Sequence, residues 1–262
     1  MAGSRRAKAW RSAANPIIAI VLLMFVWEGA VRLFKIPGYL LPPPSEVLAQ
    51  IGDHARILAN HAGATLTVIV SGFFLSALIG IPLALAISFW PFFNRTIYPI
   101  IVFSQLIPKV AIAPLFVIWF GFGFLPKLLI AFLISFFPIV IQSIVGFTSI
   151  RPEPIRVALS MGTGPVTLFF KVRLPHALPN IFAGLKMAMA SASIGAIVGE
   201  FIASQQGLGY LILVANGEMN TPLAFAGMLL LCFTGVALYF LVETAERLAT
   251  GWHVSRRVGA AT

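Results

Sequence analysis

Six apolar stretches, at 16–34, 65–90, 97–120, 128–150, 179–201 and 223–242, dominate the chain and are separated by short polar segments. Each has roughly the 20 residues an α-helix needs to cross about 30 Å of hydrocarbon. In lipid, a single spanning segment satisfies its own backbone polar groups by being helical. The fold class expected is therefore all-α, a polytopic membrane protein with six transmembrane helices. Composition supports this, with 59% hydrophobic residues, 10% charged and a mean hydropathy of +0.97. A soluble domain runs about 25% charged. The net charge of +10 would point to nucleic acid in a soluble protein. Here it has another source, because membrane proteins collect Lys and Arg in cytoplasmic loops. The lipid bilayer is thus the expected partner, and nucleic acid is not.

The N-terminal segment is basic, with Arg5, Arg6, Lys8 and Arg11 ahead of the first apolar run. That run is long for a signal peptide and lacks a small-x-small cleavage site, so it reads as an uncleaved first helix. Glu28 and Arg32, four residues apart, are placed to pair on one face. Pro37-Gly38 and Pro42-Pro43-Pro44 interrupt helix in the following loop. Ser45 reads as an N-cap with Glu46 behind it, opening an amphipathic surface helix with apolar Val47, Leu48, Ile51, Ala55 and Leu58. Residues 202–221 read as a mixed loop. Cys232, the single cysteine, has no intrachain partner.

Lysine and arginine set the orientation. With both termini in the cytoplasm, inner segments hold twelve of these residues: Arg5, Arg6, Lys8, Arg11, Arg95, Arg151, Arg156, Lys171, Arg173, Arg247, Arg256 and Arg257. Outer segments hold four, Arg32, Lys35, Arg56 and Lys127, while Lys109 and Lys186 fall within spans. That bias places the polar stretch 151–175, RPEPIRVALSMGTGPVTLFFKVRLP, in the cytoplasm.

This stretch carries a recognisable spacing. Arg156-Val157-Ala158, three residues, Gly162, nine residues, then Val172-Arg173-Leu174-Pro175 resembles the cytoplasmic loop of permease subunits of bacterial ABC importers. The family pattern there is Glu-Ala-Ala, three residues, Gly, nine residues, Ile, one residue, Leu-Pro. Arg156 and Val157 depart from it at the first two positions. Three further segments resemble the nitrate/sulfonate/taurine branch of the family. They are Leu40 to Val47 (LLPPPSEV), Ile118 to Gly123 (IWFGFG), and Gly199-Glu200 with Gly207 to Leu211 (GLGYL).

The resemblance implies the type I ABC importer transmembrane-domain fold and a bacterial inner-membrane, multi-pass location. It implies a permease that works with two ATPase subunits, a second permease subunit (read as a homodimer) and a periplasmic solute-binding protein. The division it implies is 1–60, basic N-terminus, first span and periplasmic amphipathic segment; 61–246, ABC transmembrane core with the coupling loop 151–175; and 247–262, basic cytoplasmic tail. The coupling residues expected are Arg156, Val157, Ala158, Leu159, Met161, Gly162, Val172, Leu174 and Pro175. Residues 155–161 read as a short helix ended by Gly162. The sequence has no G-x-x-x-x-G-K-[ST] phosphate loop, so no cofactor is expected in this chain, and ATP and Mg are expected in the partner ATPase. The solute expected is small and anionic or aromatic. The alternatives are an ATP-independent transporter or channel, or an intramembrane enzyme. The four histidines are scattered without metal-ligand spacing, and Asp53 is the lone aspartate.

Lys109 and Lys186 are charges near the membrane interior, where such residues tend to face a cavity. Two readings stand for each. They line a path for an anion, or Lys186 snorkels to the inner interface and Lys109 caps the break at Pro108. Ser104 and Gln105, one turn earlier, share the cavity of Lys109 or bond between helices. Ser191, Gly195 and Gly199 form a small-residue stripe for helix packing. Glu200 is expected at the outer interface.

Overall fold

The computed structural model describes residues 2–251, with side chains from Ile18 onward. The elements are α1 (Ala2–Leu33), α2 (Pro44–Asp53), α3 (Ala55–Phe89), α4 (Pro91–Ser104), a 3-10 turn (Lys109–Ile112), α5 (Ala113–Phe120), α6 (Phe124–Thr148), α7 (Pro152–Ser160), α8 (Pro165–Leu168), a π turn (Phe169–Arg173), α9 (Leu174–Ala203), α10 (Leu208–Gly217) and α11 (Thr221–Ala249). The side chains of Arg5, Arg6, Lys8 and Arg11, and the tail from residue 252 with Arg256 and Arg257, lie outside the described residues.

Among the described residues, four helical segments are long and apolar enough to cross a membrane: Ala55–Phe89, Phe124–Thr148, Pro165–Ala203 and Thr221–Ala249. The first apolar stretch lies in α1. The third, 97–120, is broken at Pro108-Lys109 as its sequence implies. Pro91–Ser104 and Lys109–Phe120 meet at 87°. Pro108 is extended there (φ −69°, ψ 94°). Having no N–H, it cannot continue the ladder of α4. Together the two pieces are a broken span or a re-entrant loop.

Other boundaries differ from the sequence reading. The fifth span does not start near 179. The helical run continues from Pro165 to Ala203, 39 residues, with Pro179 inside it. The segment 202–221 is not all loop, because α10 occupies its centre. The amphipathic helix after Ser45 is interrupted at His54 (φ −111°, ψ 20°), so α2 and α3 share it. Ser45 is not the N-cap. Pro43 holds that place in an extended conformation with Pro44 as the first helical residue, a position that proline suits because its missing N–H has no partner there.

The chain forms two compact units, Met1–Asn60 with Leu211–Leu230, and His61–Tyr210 with Leu231–Thr262. In the first, Ser45 is free of capping and turns to Glu28. Its N–H donates to Glu28 Oε2 at 3.0 Å and its hydroxyl to Oε1 at 2.8 Å. Arg32 Nε closes the cluster on Glu28 Oε1 at 2.6 Å. Thr221 Oγ1 donates to the Tyr39 carbonyl at 2.8 Å, and the Trp27 and Phe225 rings lie 5.8 Å apart.

In the second unit, Val68, Ile69 and Phe73 of α3 pack on Ala131 and Ile139 of α6 and on Ala188, Met189, Ala192 and Ala196 of α9, with Val242 of α11. Lipid tails are as apolar as Leu, so helices gain most by close backbone approach. A Cβ on Gly195 would lie 2.6 Å from Ala131 Cα, and one on Gly199 would lie 2.9 Å from Lys127 Cα. Two buried hydroxyls, Ser76 on α3 and Ser135 on α6, meet at 2.7 Å. Each also bonds to a carbonyl one turn back, so neither polar group is left unpaired in an apolar setting.

Candidate functional site

The 151–175 stretch folds as two unlike halves. In the first, Arg151 is extended and Pro152 and Pro154 open α7, with Glu153 in its first turn. Proline is preorganised for the first helical position, and an acid there complements the helix dipole. The helix begins three residues before the expected 155. No residue of α7 is buried.

Its end is closed by a Schellman turn. The Thr163 N–H donates to the Ala158 carbonyl at 3.2 Å and the Gly162 N–H to the Leu159 carbonyl at 3.0 Å. Gly162 has φ +76°, the left-handed conformation this cap requires and glycine supplies without a Cβ penalty. The motif residues Ala158 and Gly162 are thus the two sides of one hydrogen-bonded turn. Val157, Leu159 and Met161 stand 58%, 54% and 79% exposed around it, apolar groups on more than one side of a short capped helix. Arg156 is also exposed.

The second half is anchored. Leu168 is buried, and the Phe169 ring packs between Phe147 at 6.3 Å and Phe89 at 6.1 Å. Arg173 lays its guanidinium 4.7 Å from the Phe89 centroid. Val172, Leu174 and Pro175 are half-buried where the π turn runs into α9. A cleft of about 560 Å³ opens between this segment and the end of α3, lined by Leu85, Phe89, Val166, Phe170 and Arg173 among others.

The other predicted residues do not form one site. Lys109 Nζ sits 4.6 Å from the Phe137 centroid and donates to the Gln105 carbonyl at 3.5 Å. Ser104 Oγ bonds to its own helix at Ile100 O, 2.7 Å away. Lys186 lies elsewhere, in an ion pair with Glu246 of α11 at 2.7 Å, a partner neither sequence reading named. Gly195 and Gly199 face α6 as described, and Ser191 is half-buried on α9.

At the other end of the same unit, sequence reasoning missed a buried cluster. Glu200 is 1% exposed, enclosed by protein. Its Oε2 accepts from Gly209 N–H at 2.7 Å and from Thr65 Oγ1 at 3.1 Å. Thr65 Oγ1 in turn accepts from Leu208 N–H at 2.7 Å, and His61 Nδ1 accepts from Gly207 N–H at 3.0 Å. These three side chains take up the free N–H groups where α10 begins. Gly207, at φ +117°, lies so close that a Cβ would overlap the Glu200 carboxylate. The signal was present in the Gly-Leu-Gly-Tyr run and in a glutamate inside an apolar helix, but the partners Thr65 and His61 are more than 130 residues away.

An all-helical chain with several apolar spans and an exposed, rigidly capped knob between two of them belongs to the class of multi-spanning transport subunits. The model of the family "binding-protein-dependent transport system inner membrane component" matches residues 76–249, and the chain belongs to that family, the inner-membrane permease subunits of ATP-driven ABC importers, within their taurine/sulfonate-type branch. It is 38% identical over 229 residues to a probable ABC transporter permease protein of Haemophilus influenzae, covering 87% of this chain and 94% of that one. Identity is 36% to the riboflavin transport system permease protein RibX of Chloroflexus aurantiacus, covering 94% and 92%. It is 31% to the taurine transport system permease protein TauC of Escherichia coli, covering 95% of each. The fold is that of the MetNI methionine ABC transporter in inward-facing conformations, with a TM-score of 0.64 at 19% identity over 76% of this chain and 98% of that one.

Proposed function

We propose that α7 and its Schellman turn are the contact through which a separate ATPase subunit drives this permease. Two such ATPases would serve a pair of permeases, read as two copies of this chain, with ATP and Mg held by the ATPases. A periplasmic binding protein would deliver the solute, and both termini would lie in the cytoplasm. The observation that carries this reading is an isolated helix with no buried residue whose apolar Val157, Leu159 and Met161 are nevertheless held in fixed geometry. A solvated loop gains nothing from such exposed apolar side chains, whereas a docking knob inserted in a groove needs them.

The mechanical path follows from the chain. The knob leads through Gly164 into a segment anchored by Leu168 and Phe169 and then without interruption into the helical run to Ala203. A displacement at α7 is therefore passed to α9 and to the α6 backbone packed against Gly195 and Gly199. Frame residues Val172, Leu174 and Pro175 join the knob to the span. The division into an N-terminal segment 1–60, a core 61–246 and a tail 247–262 is retained as a working description.

The solute is proposed to be small and either aromatic or anionic. The relatives named for riboflavin and formylaminopyrimidine, at 36% and 33% identity, stand above those named for taurine and aliphatic sulfonates, at 31% and 27%. Lys109 with Ser104 and Gln105 remains a candidate lining of the path, while Lys186 is assigned to its ion pair with Glu246.

The test is Gly162→Pro in the assembled transporter. Proline cannot adopt φ +76° and removes the N–H that bonds Leu159. Membrane level and ATP hydrolysis are expected to persist while uptake falls by at least about tenfold, equivalent to about 1.4 kcal/mol of lost coupling. Undiminished uptake would refute the assignment.

A further inference from the structure

A cavity of about 480 Å³ lies at the end of the second unit that carries Glu200, lined by Ala64, Thr67, Phe122, Lys127, Ser204 and Gln206 among others. Its size is that of a small-molecule site. Lys127 is the charged group on its wall and is 9% exposed. Among the described residues no carboxylate oxygen comes within 4.0 Å of its ammonium. The protein bond it makes is to Ser204 Oγ at 2.9 Å. The serine hydroxyl is spent elsewhere, on the Gln206 carbonyl, so it meets the lysine as an acceptor. An ammonium has three donors, which leaves two for the cavity.

A buried charge is costly unless closely paired; Glu200 attracts Lys127 only from beyond ion-pair distance, and the lysine is placed in the least favourable part of its helix. Lys127 is the fourth residue of α6, near the positive end of a 25-residue helix that has no acid in its first turn and no side-chain cap at Gly123. The counter-charge beside it, Glu200, spends Oε2 on Thr65 and on the N-terminus of α10, while its buried Oε1 makes no hydrogen bond. One carboxylate therefore faces a lysine and the positive ends of two helices, which leaves local positive charge beside a cavity walled by a threonine hydroxyl, glutamine amides and two phenylalanines, Phe122 and Phe124.

We infer that this cavity binds a small oxyanion, a sulfonate, carboxylate or phosphate group, with Lys127 as its counter-ion and the phenylalanines against a short apolar body. The inference is independent of the ATPase contact proposed above, and binding is read directly, without uptake or ATPase. The chemistry has two sources, a soluble anion or a phospholipid headgroup.

The probe is trifluoromethanesulfonate, followed by its ¹⁹F linewidth with the full chain in phosphatidylcholine nanodiscs. Wild-type protein is expected to broaden the line, and ethanesulfonate to sharpen it again. Lys127→Met should weaken binding by at least about tenfold, the scale of one charge-assisted contact. Thr67→Leu fills the cavity without touching the Lys127–Ser204 bond, so it should weaken binding comparably even where Lys127→Met fails to fold. Lys35→Met, in the other unit, should leave the linewidth as in the wild type. Suppression of the broadening by added phosphatidylglycerol identifies a headgroup as occupant. Competition by ethanesulfonate alone identifies a soluble anion. An unbroadened line with wild-type protein, or equal broadening with Thr67→Leu, overturns the inference.

Discussion

The two polar ends of the second unit solve the same problem in opposite ways. Around Glu200 the polar groups turn inward. Thr65, His61 and Glu200 meet the N–H groups of Gly207, Leu208 and Gly209, and Glu200 is 1% exposed. Around Gly162 the backbone satisfies itself through a Schellman turn, and apolar side chains point outward, Met161 at 79% exposure. One end ties its backbone donors to side chains of the same chain. The other is rigid but lacks anything to cover it. The difference separates a stability device from the surface proposed to meet a partner, and mutations should divide along that line.

The largest loss of stability is expected from Glu200→Ala. It removes the acceptor of Gly209 N–H and of Thr65 in a buried place, where an orphaned group costs about 1–3 kcal/mol. Thr65 keeps the His61 carbonyl as an acceptor, so the Gly209 N–H is the group orphaned and the unfolding free energy should fall by about 2–3 kcal/mol, seen as a lower unfolding midpoint in detergent. An unchanged midpoint would mean the cluster is not an anchor. Next comes Gly207→Ala, which combines φ +117° with a Cβ overlapping the Glu200 carboxylate. About 2 kcal/mol is expected from the backbone strain and displacement together, on the same measurement. At the other end, Leu159→Asp alters a side chain that is 54% exposed. Its effect on stability should stay within about 0.5 kcal/mol. Its effect on ATPase binding should be about tenfold, the scale of an interface anchor. The contrast between the two ends collapses if Leu159→Asp unfolds the permease or leaves ATPase affinity unchanged.

Much of this was legible in the sequence because its signals are local. Apolar length placed the helices, and the Ala158–Gly162–Leu174–Pro175 spacing located the loop. The glycine at 162 foretold the stop of a short helix, while its start at Pro152 lay three residues earlier than expected. What was missed depends on distant partners or on bending. Nothing near Glu200 in the chain announces Thr65 and His61, so a buried anchor looked like an interfacial acid. Lys186 looked like a lone intramembrane charge because Glu246 lies 60 residues on. The break of the third span at Pro108 was legible, but its 87° angle was not, because proline can kink a helix or break it and hydropathy does not distinguish the two. Ser45 looked like a cap because the competing claim of Glu28, on the preceding helix, is tertiary.

The most direct test of the central claim is site-directed crosslinking in the assembled transporter. Cys232 is the single cysteine, so Cys232→Ser gives a clean background into which Met161→Cys, or Met219→Cys from the other unit, is introduced. Met161 and Met219 are similarly exposed, at 79% and 76%. The account predicts that position 161 crosslinks to the ATPase subunit and position 219 does not. An ATPase that crosslinks through 219, or that assembles with the permease without touching 161, would contradict it.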